Sequence, residues 1–341
     1  MHPLTRRRLK IFYSNKRAFV SSVLFVFLLI LSLMAPFLAN DRPLFVWYQG
    51  HVYFPVFQEL SDQTFGGDLP LIADYTDDQT RQRIKQDGFM IFPLIPYGFE
   101  TVDYIHDGPF PAPPSRYHWL GTDDQGRDVL ARLIYGLRIS LIFGLTLTFF
   151  SAVLGITIGG IQGYLGGWTD LLTGRFLEIW GSLPQLFILI IVSSLIVPGF
   201  WSVLTVLLFF SWTSLTGVVR AEFLKTRQMD YVKSARLLGV GDFKIMIRHI
   251  LPNALVSSIT YIPFMLSGAI VSLTALDFLG LGLPPGTPSL GELVRLGKDN
   301  LQAPWIGLTI FCMLTMLLSL LIFIGEGVRD AFDPHRHGEN R

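Results

Sequence analysis

Trp305-Ile-Gly-Leu-Thr-Ile-Phe-Cys-Met-Leu-Thr-Met-Leu-Leu-Ser-Leu-Leu-Ile-Phe-Ile-Gly325 is a run of 21 residues without a charge. Coiled as a helix it covers about 30 Å, the thickness of a bilayer's hydrocarbon core. Five more segments read the same way: Phe19–Ala39, Ile139–Ile161, Phe176–Val197, Phe200–Val219 and Ala254–Leu276. Lys, Arg, Asp and Glu are absent from the span interiors. Arg175 and Glu178 stand at the mouth of the third span, three apart and so spaced to pair on one helix face. Pro184, Pro263 and Gly268 fall inside spans, where they permit kinks. The runs account for a chain of 341 residues that is 50% apolar or aromatic, with mean hydropathy +0.46 and only 16% charged residues. Soluble domains carry about 25% charged residues. The fold class is therefore an all-α polytopic membrane protein with six transmembrane helices.

Orientation follows from the basic residues near the span ends. With the N-terminus inside, the inner segments 1–18, 162–175, 220–253 and 326–341 hold 17 Lys and Arg in 82 residues, against 10 in 129 outside. Both ends are expected in the cytoplasm. The first span, 19–39, follows a basic stretch but lacks small residues at a cleavage position, so it reads as an uncleaved anchor. Outside lies an insert, 40–118, ahead of a core at 119–325. In it Leu44-Phe-Val-Trp-Tyr48 and His51-Val-Tyr-Phe54 flank Gln49-Gly50, the pattern of a β-hairpin. The outer segment 40–138 carries 8 basic and 14 acidic residues, a net charge of −6. It reads as a solvated cap or as a docking surface for an outside partner.

Much chemistry is excluded. The net charge of +1 argues against nucleic-acid binding by bulk charge. A single cysteine, Cys312, leaves no internal disulfide and no Cys-cluster metal site. There is no phosphate-binding P-loop, no nucleophile elbow and no zinc-protease motif. The seven histidines are scattered, and His335 and His337 read as a solvated tail. Uncharged span interiors argue against a self-powered carrier, so the energy source is expected on another chain. Small polar residues (Ser193, Ser194, Ser211, Thr213, Ser214, Ser257, Ser258 and Thr260) are candidates to line a path or to pack helix on helix.

The longest inner loop, 220–253, contains Asp230-Tyr-Val-Lys-Ser-Ala-Arg-Leu-Leu-Gly239. Asp230 reads as an N-cap and Gly239 as a C-terminal stop around a short helix. Asp242 reads as the cap of a second helix, which Pro252 closes. A helix this short needs a bundle, a partner's groove or a lipid surface to hold it. Gly121 and Gly126 permit tight turns, while Asp123 and Asp128 bracket Arg127 as a charge network that sets how the chain joins the second span.

Ala235-x-x-x-Gly239 followed by Leu251-Pro252 resembles the EAA loop of ABC-importer permeases, with Lys233, Ser234 and His249 departing from its pattern. Leu120-Gly-Thr-Asp-Asp-Gln-Gly-Arg-Asp-Val-Leu130, Phe278-Leu-Gly-Leu-Gly282 with Pro284 and Pro285, and Arg329-Asp-Ala-Phe-Asp-Pro334 resemble the C-type permease of dipeptide, oligopeptide and nickel importers. Asp277 and Leu290 replace the usual Ser and Trp. The long insert resembles the subgroup linked to peptide and microcin C uptake.

The resemblance implies the type I ABC-importer permease fold and a non-catalytic inner-membrane subunit. It implies a second permease subunit, two ATPase subunits or one fused double ATPase, a periplasmic solute-binding protein and a peptide substrate. No cofactor is expected on this chain, with ATP and Mg bound by the ATPase. The loop 230–252 would couple the ATPase to the spans through Tyr231, Ala235, Leu238, Gly239, Leu251 and Pro252, with Ala235 facing the ATPase groove. Gly121, Thr122, Asp123, Gly126, Arg127 and Asp128 would form a motif at the periplasmic interface. The alternatives are a permease for nickel or another small solute, a stand-alone channel or carrier, or a membrane-embedded enzyme. The absence of histidine from the spans tilts the substrate to peptide.

Overall fold

The structure, a computed structural model, describes residues 3–68, 70–103, 108–195 and 197–332. The tail residues Asp333, Pro334, His335 and His337 lie outside them, as do the side chains of Ser193 and Ser194. The chain begins with α1 (Pro3–Ser14), α2 (Lys16–Leu33) and α3 (Ala35–Leu38). Next come β1 (Phe45–Tyr48), β2 (His51–Tyr53), α4 (Asp78–Asp87) and β3 (Gly88–Ile91). Then follow α5 (Val129–Leu165), α6 (Gly167–Ser182), α7 (Gln185–Leu195), α8 (Phe200–Ser211) and α9 (Thr213–Arg227). The inner loop holds α10 (Asp230–Leu237), α11 (Asp242–Ile245) and a π-helical turn, Met246–Ile250. The chain closes with α12 (Leu251–Phe278), α13 (Leu290–Asp299) and α14 (Pro304–Phe332).

Among the described residues five helical stretches are long and apolar enough to cross a membrane, and six if a bent pair is taken as one span. The bent pair is the expected third span: α6 and α7 meet at 71°. Pro184 sits at the break, where it lacks an N–H and forces Leu183 out of the helical region. The first span stops at Leu33 rather than Ala39, because the ring of Pro36 is incompatible with a continuous helix. The second is longer than its apolar run, 37 residues in all. By contrast, α12 continues through Pro263.

The chain divides into two compact units. One comprises Met1–Val26, Leu141–Pro284 and Thr315–Arg341. In it α9 lies against α5 at close range. A Cβ on Gly155, Gly159 or Gly163 would fall 2.8, 2.5 or 2.6 Å from the carbonyl oxygens of Trp212, Thr216 and Arg220. Glycine every fourth residue lets two backbones touch in the way membrane helices often use. The paired Arg175 and Glu178 side chains meet at 2.6 Å as their spacing predicts, on an exposed surface.

The other unit comprises Phe27–Ser140 and Pro285–Leu314. It contains a three-stranded antiparallel sheet in the order β2-β1-β3. The expected hairpin is present, with Trp47 opposite Val52. Its turn places Gln49 at φ 50° and Gly50 at φ 81°, the left-handed pair that a two-residue turn requires. Val46 and Tyr48 point into a small core with Phe65, Ala73, Tyr75 and Ile84. Trp47, Val52, Phe89 and Ile91 occupy the opposite, exposed face. The third strand, β3, follows α4 directly, Gly88 coming straight after Asp87.

Candidate functional site

The loop after α9 is the first candidate. α10 begins one residue earlier than its sequence suggests. Met229 occupies the N-cap and makes no side-chain bond there, while Asp230 is the first helical residue. The fully exposed Asp230 pairs weakly with Lys233 at 3.6 Å. Similarly, Gly241 rather than Asp242 caps α11. The C-terminus is as expected. Gly239 has φ 77°, its N–H donates to Arg236 O at 3.0 Å, and Val240 N–H donates to Ala235 O at 3.1 Å. These two bonds form a Schellman stop. Pro252 does not close the second helix. It lies in the first turn of α12, and Leu251 N–H reaches back to Met246 O across the π turn. The wider turn absorbs the missing proline N–H.

Ala235 does not face outward. It is 7% exposed and belongs to a core with Val232, Val219, Phe223, Ile245 and Ile250, and Leu251 packs against that core. The outward surface of the loop is instead apolar and bare: Leu237 is 89% exposed, Leu238 83% and Phe243 77%. Tyr231 ties the helix down, its hydroxyl accepting from Asn253 Nδ2 at 2.8 Å and donating to His249 O at 3.3 Å. The Tyr164 hydroxyl, near the end of α5, accepts from Arg236 Nη2 at 3.0 Å and donates to Asp242. Arg227 Nη1 donates to Tyr164 O at 2.6 Å. The loop is thus a buttressed platform with one greasy face. Covering each of those three side chains would contribute about 1.5–3 kcal/mol.

The second candidate is the turn that leads into α5. Gly121 (φ 74°) and Gly126 (φ 77°) bend the chain where a Cβ would strike Ala112 O at 2.6 Å and the Phe110 ring at 2.8 Å. The Thr122 hydroxyl accepts from Ala112 N at 2.8 Å. Asp123 accepts from Arg127 Nε at 2.7 Å and from the backbone N–H of Arg127 and Gln125, each at 2.9 Å. Asp128 does not join that pair. It caps α5 through Ala131 N–H at 2.7 Å and bonds His118 Nδ1 at 2.8 Å. Two partners missed in the sequence complete the cluster. Arg132 reaches Asp123 at 3.6 Å, donates to Phe99 O at 3.0 Å and bonds Glu292 on α13. These side chains are buried, so the motif is a structural knot.

His118 bridges two carboxylates, Asp128 and Asp103, the latter at 3.1 Å from Nε2. Burial alone would lower its pKa, but the hydrogen bonds and charges of Asp128 and Asp103 outweigh it and hold the imidazole above its ordinary value. Only the protonated ring donates to both carboxylates. A raised folded-state pKa contributes stability that is complete below the unfolded value of about 6.5 and fades as pH rises through the folded one. The 108–128 segment should therefore resist protease better below about pH 6.5 than at alkaline pH. His118→Gln should flatten that difference, and an unchanged pH dependence in this variant would assign it to other groups.

A cavity of about 280 Å³ lies among α5, α7, α8, α9 and α12, lined by Thr148, Ser151, Ser211, Ser214, Tyr261 and Ser272 among others. Ser211 and Ser214 are two of the expected path residues. Ser258 is turned instead to Ala254 O. No charged side chain lines the cavity. Among the described residues no cluster of three His, Cys, Asp or Glu is placed to hold a metal.

Residues 155–338 match the family described as binding-protein-dependent transport system inner membrane component. The chain is 50% identical over 336 residues to the inner membrane ABC transporter permease protein YejE of Escherichia coli, covering 98% of each. It is 49% identical to the peptidoglycan transport system permease protein YejE of Agrobacterium fabrum, covering 98% of this chain and 94% of that one. It is 35% identical to the oligopeptide transport system permease protein OppC of Haemophilus influenzae, covering 71% of this chain and 78% of that one.

Proposed function

This chain belongs to the family of inner-membrane components of binding-protein-dependent transport systems, and from that premise we propose that it is the permease subunit of an ABC importer for peptides or peptide-containing cell-wall fragments. It crosses the membrane six times, α6 and α7 forming one broken span, with both termini in the cytoplasm. ATP and Mg are bound by a separate ATPase, in one fused chain or two. A second permease subunit completes the path, and a periplasmic solute-binding protein delivers the substrate. The substrate class is supported by the names of two relatives, a peptidoglycan transport permease matched over nearly the whole chain and an oligopeptide transport permease matched over 71% of it. An uncharged, hydroxyl-lined cavity agrees with a cargo recognised by its backbone rather than by one charge.

The observation that carries the coupling role is the bare apolar face of Leu237, Leu238 and Phe243 on a loop whose opposite face is built into the core. Such a face on a cytoplasmic loop suits the groove of a partner. The ATPase closes on binding ATP, and the platform passes that motion to α9 and α12.

Proteoliposomes containing both permease subunits, the ATPase and the binding protein should accumulate labelled peptide only with ATP inside the ATPase's compartment. Accumulation of nickel but not peptide would replace the substrate. Reporters fused at Gln86 and Gln228 should read external and cytoplasmic respectively. The same side for both would overturn the six-span topology.

A further inference from the structure

A continuous strip of aromatic rings runs from the end of the first span across the sheet. Phe37 on α3 meets Phe57 with ring centroids 5.6 Å apart. A turn, Phe57 N–H to Phe54 O at 3.0 Å, joins Phe57 to Phe54. Phe54 meets Phe45 at 5.8 Å, Phe45 meets Phe89 at 5.7 Å, and Phe89 meets Trp47 at 6.0 Å. All but the half-buried Phe45 are exposed. The inner-facing residues of the same strands, Val46 and Tyr48, already fill the module's core, so these rings are not needed to fold it. The strip ends at a polar margin, where Gln49 Nε2 donates to Asp87 at 3.1 Å.

We propose that this strip is a membrane anchor that lies in the headgroup–acyl boundary beside the first span. Three observations select lipid as the occupant. The strip is continuous with the span itself. Phe37 lies four residues beyond the end of α2, about 6 Å along a helix, which is the depth of the interfacial layer. The sheet is also tethered there. Asn40 N–H donates to Ile95 O at 3.1 Å, Ile95 N–H to Leu38 O at 2.9 Å and Leu44 N–H to Ile91 O at 2.8 Å. The end of β1 that bears Phe45 is thereby held within about 14 Å of Leu38, the last residue of α3, since four extended residues separate Ile91 from Ile95. Finally, the strip carries no charge, although the surrounding segment has a net charge of −6. Five Phe and one Trp, with no charge within the strip itself, match the apolar face of segments that lie in the membrane interface, whereas an electrostatically steered protein partner would call for charge at the contact.

The strip would fix the module flat on the membrane. The test uses the permease with its partner subunit in phospholipid nanodiscs, Cys312 replaced by Ser, and spin labels at Val52→Cys, Phe57→Cys and, as a solvent control on α4, Gln86→Cys. All three positions are exposed, so the substitutions leave the fold intact. Labels at 52 and 57 should be several-fold more accessible to oxygen than to a water-soluble nickel chelate, with the reverse at 86, and high salt should not change this. Chelate accessibility at 52 and 57 equal to that at 86 would overturn the anchor. Shielding from both reagents would mean burial against protein and would overturn it too. The measurement reports membrane proximity on either side, so it stands apart from the reporter test of topology.

Discussion

Leu238→Asp is expected to leave the chain inserted and folded while reducing peptide uptake to near background. Leu238 is 83% exposed and contributes little to the chain's own core. In the partner's groove, however, the new carboxylate would be stripped of water without a counter-charge, costing several kcal/mol. An expense of that size weakens an interface by a factor of a hundred or more. Ala235→Glu should behave differently. Ala235 sits in the core formed with Val232 and Ile245, so a carboxylate there should reduce the amount of folded protein before any coupling is measured. Gly239→Ala adds no steric clash, since nothing lies within 4 Å of its Cβ, but forces φ 77° on an L residue. The cost is about 1–2 kcal/mol, felt as a loosened loop. The deciding readout is crosslinking of Leu237→Cys to the ATPase, measured beside uptake and membrane content, in a background with Cys312 replaced by Ser. Normal uptake in Leu238→Asp would show that the apolar face is not the coupling surface.

The contrast between Ala235 and Leu238 shows what a sequence conveys and what it withholds. A span is legible because one property, apolarity over some 20 residues, decides it locally. The hairpin was legible because Gln49-Gly50 matches a turn of fixed geometry, and Gly239 because a helix stop is a local event. Which face of an eight-residue helix turns inward depends on what it docks against, and Tyr164, which Arg236 bonds, is 72 positions away in sequence. The knot before α5 was half legible for the same reason. Asp123 and Arg127 are four apart, so their pairing was visible, whereas Arg132 and Glu292 are separated by 160 positions. His118 was passed over because Asp103 and Asp128 become its neighbours only through folding. Breaking the buried Arg132–Glu292 pair from one side is expected to cost about 3–5 kcal/mol.

The glycine repeat on α5 was visible but silent, since spacing alone does not name the facing helix. Its consequence is the second large effect. At Gly159 a Cβ would lie 2.5 Å from Thr216 O and 3.0 Å from Val219 Cβ. The first of these atoms is backbone, which cannot step aside as a side chain would. Gly159→Leu must therefore push α9 away from α5, at an overpacking cost of about 1–3 kcal/mol. The damage would extend beyond stability. α9 carries Arg227, whose bond to Tyr164 O at 2.6 Å helps hold the platform loop, and a displaced α9 would move the whole greasy face. Uptake should fall well below half, and the melting temperature in detergent should drop by roughly 5 °C. Gly217 supplies the control. It lies on α9 itself, yet nothing falls within 4 Å of its Cβ, so Gly217→Leu meets no steric barrier and trades glycine for a better helix former. A melting temperature that falls equally in both variants would mean that residue size anywhere on these helices is harmful, and that the close approach of α5 and α9 has no special part in holding the platform.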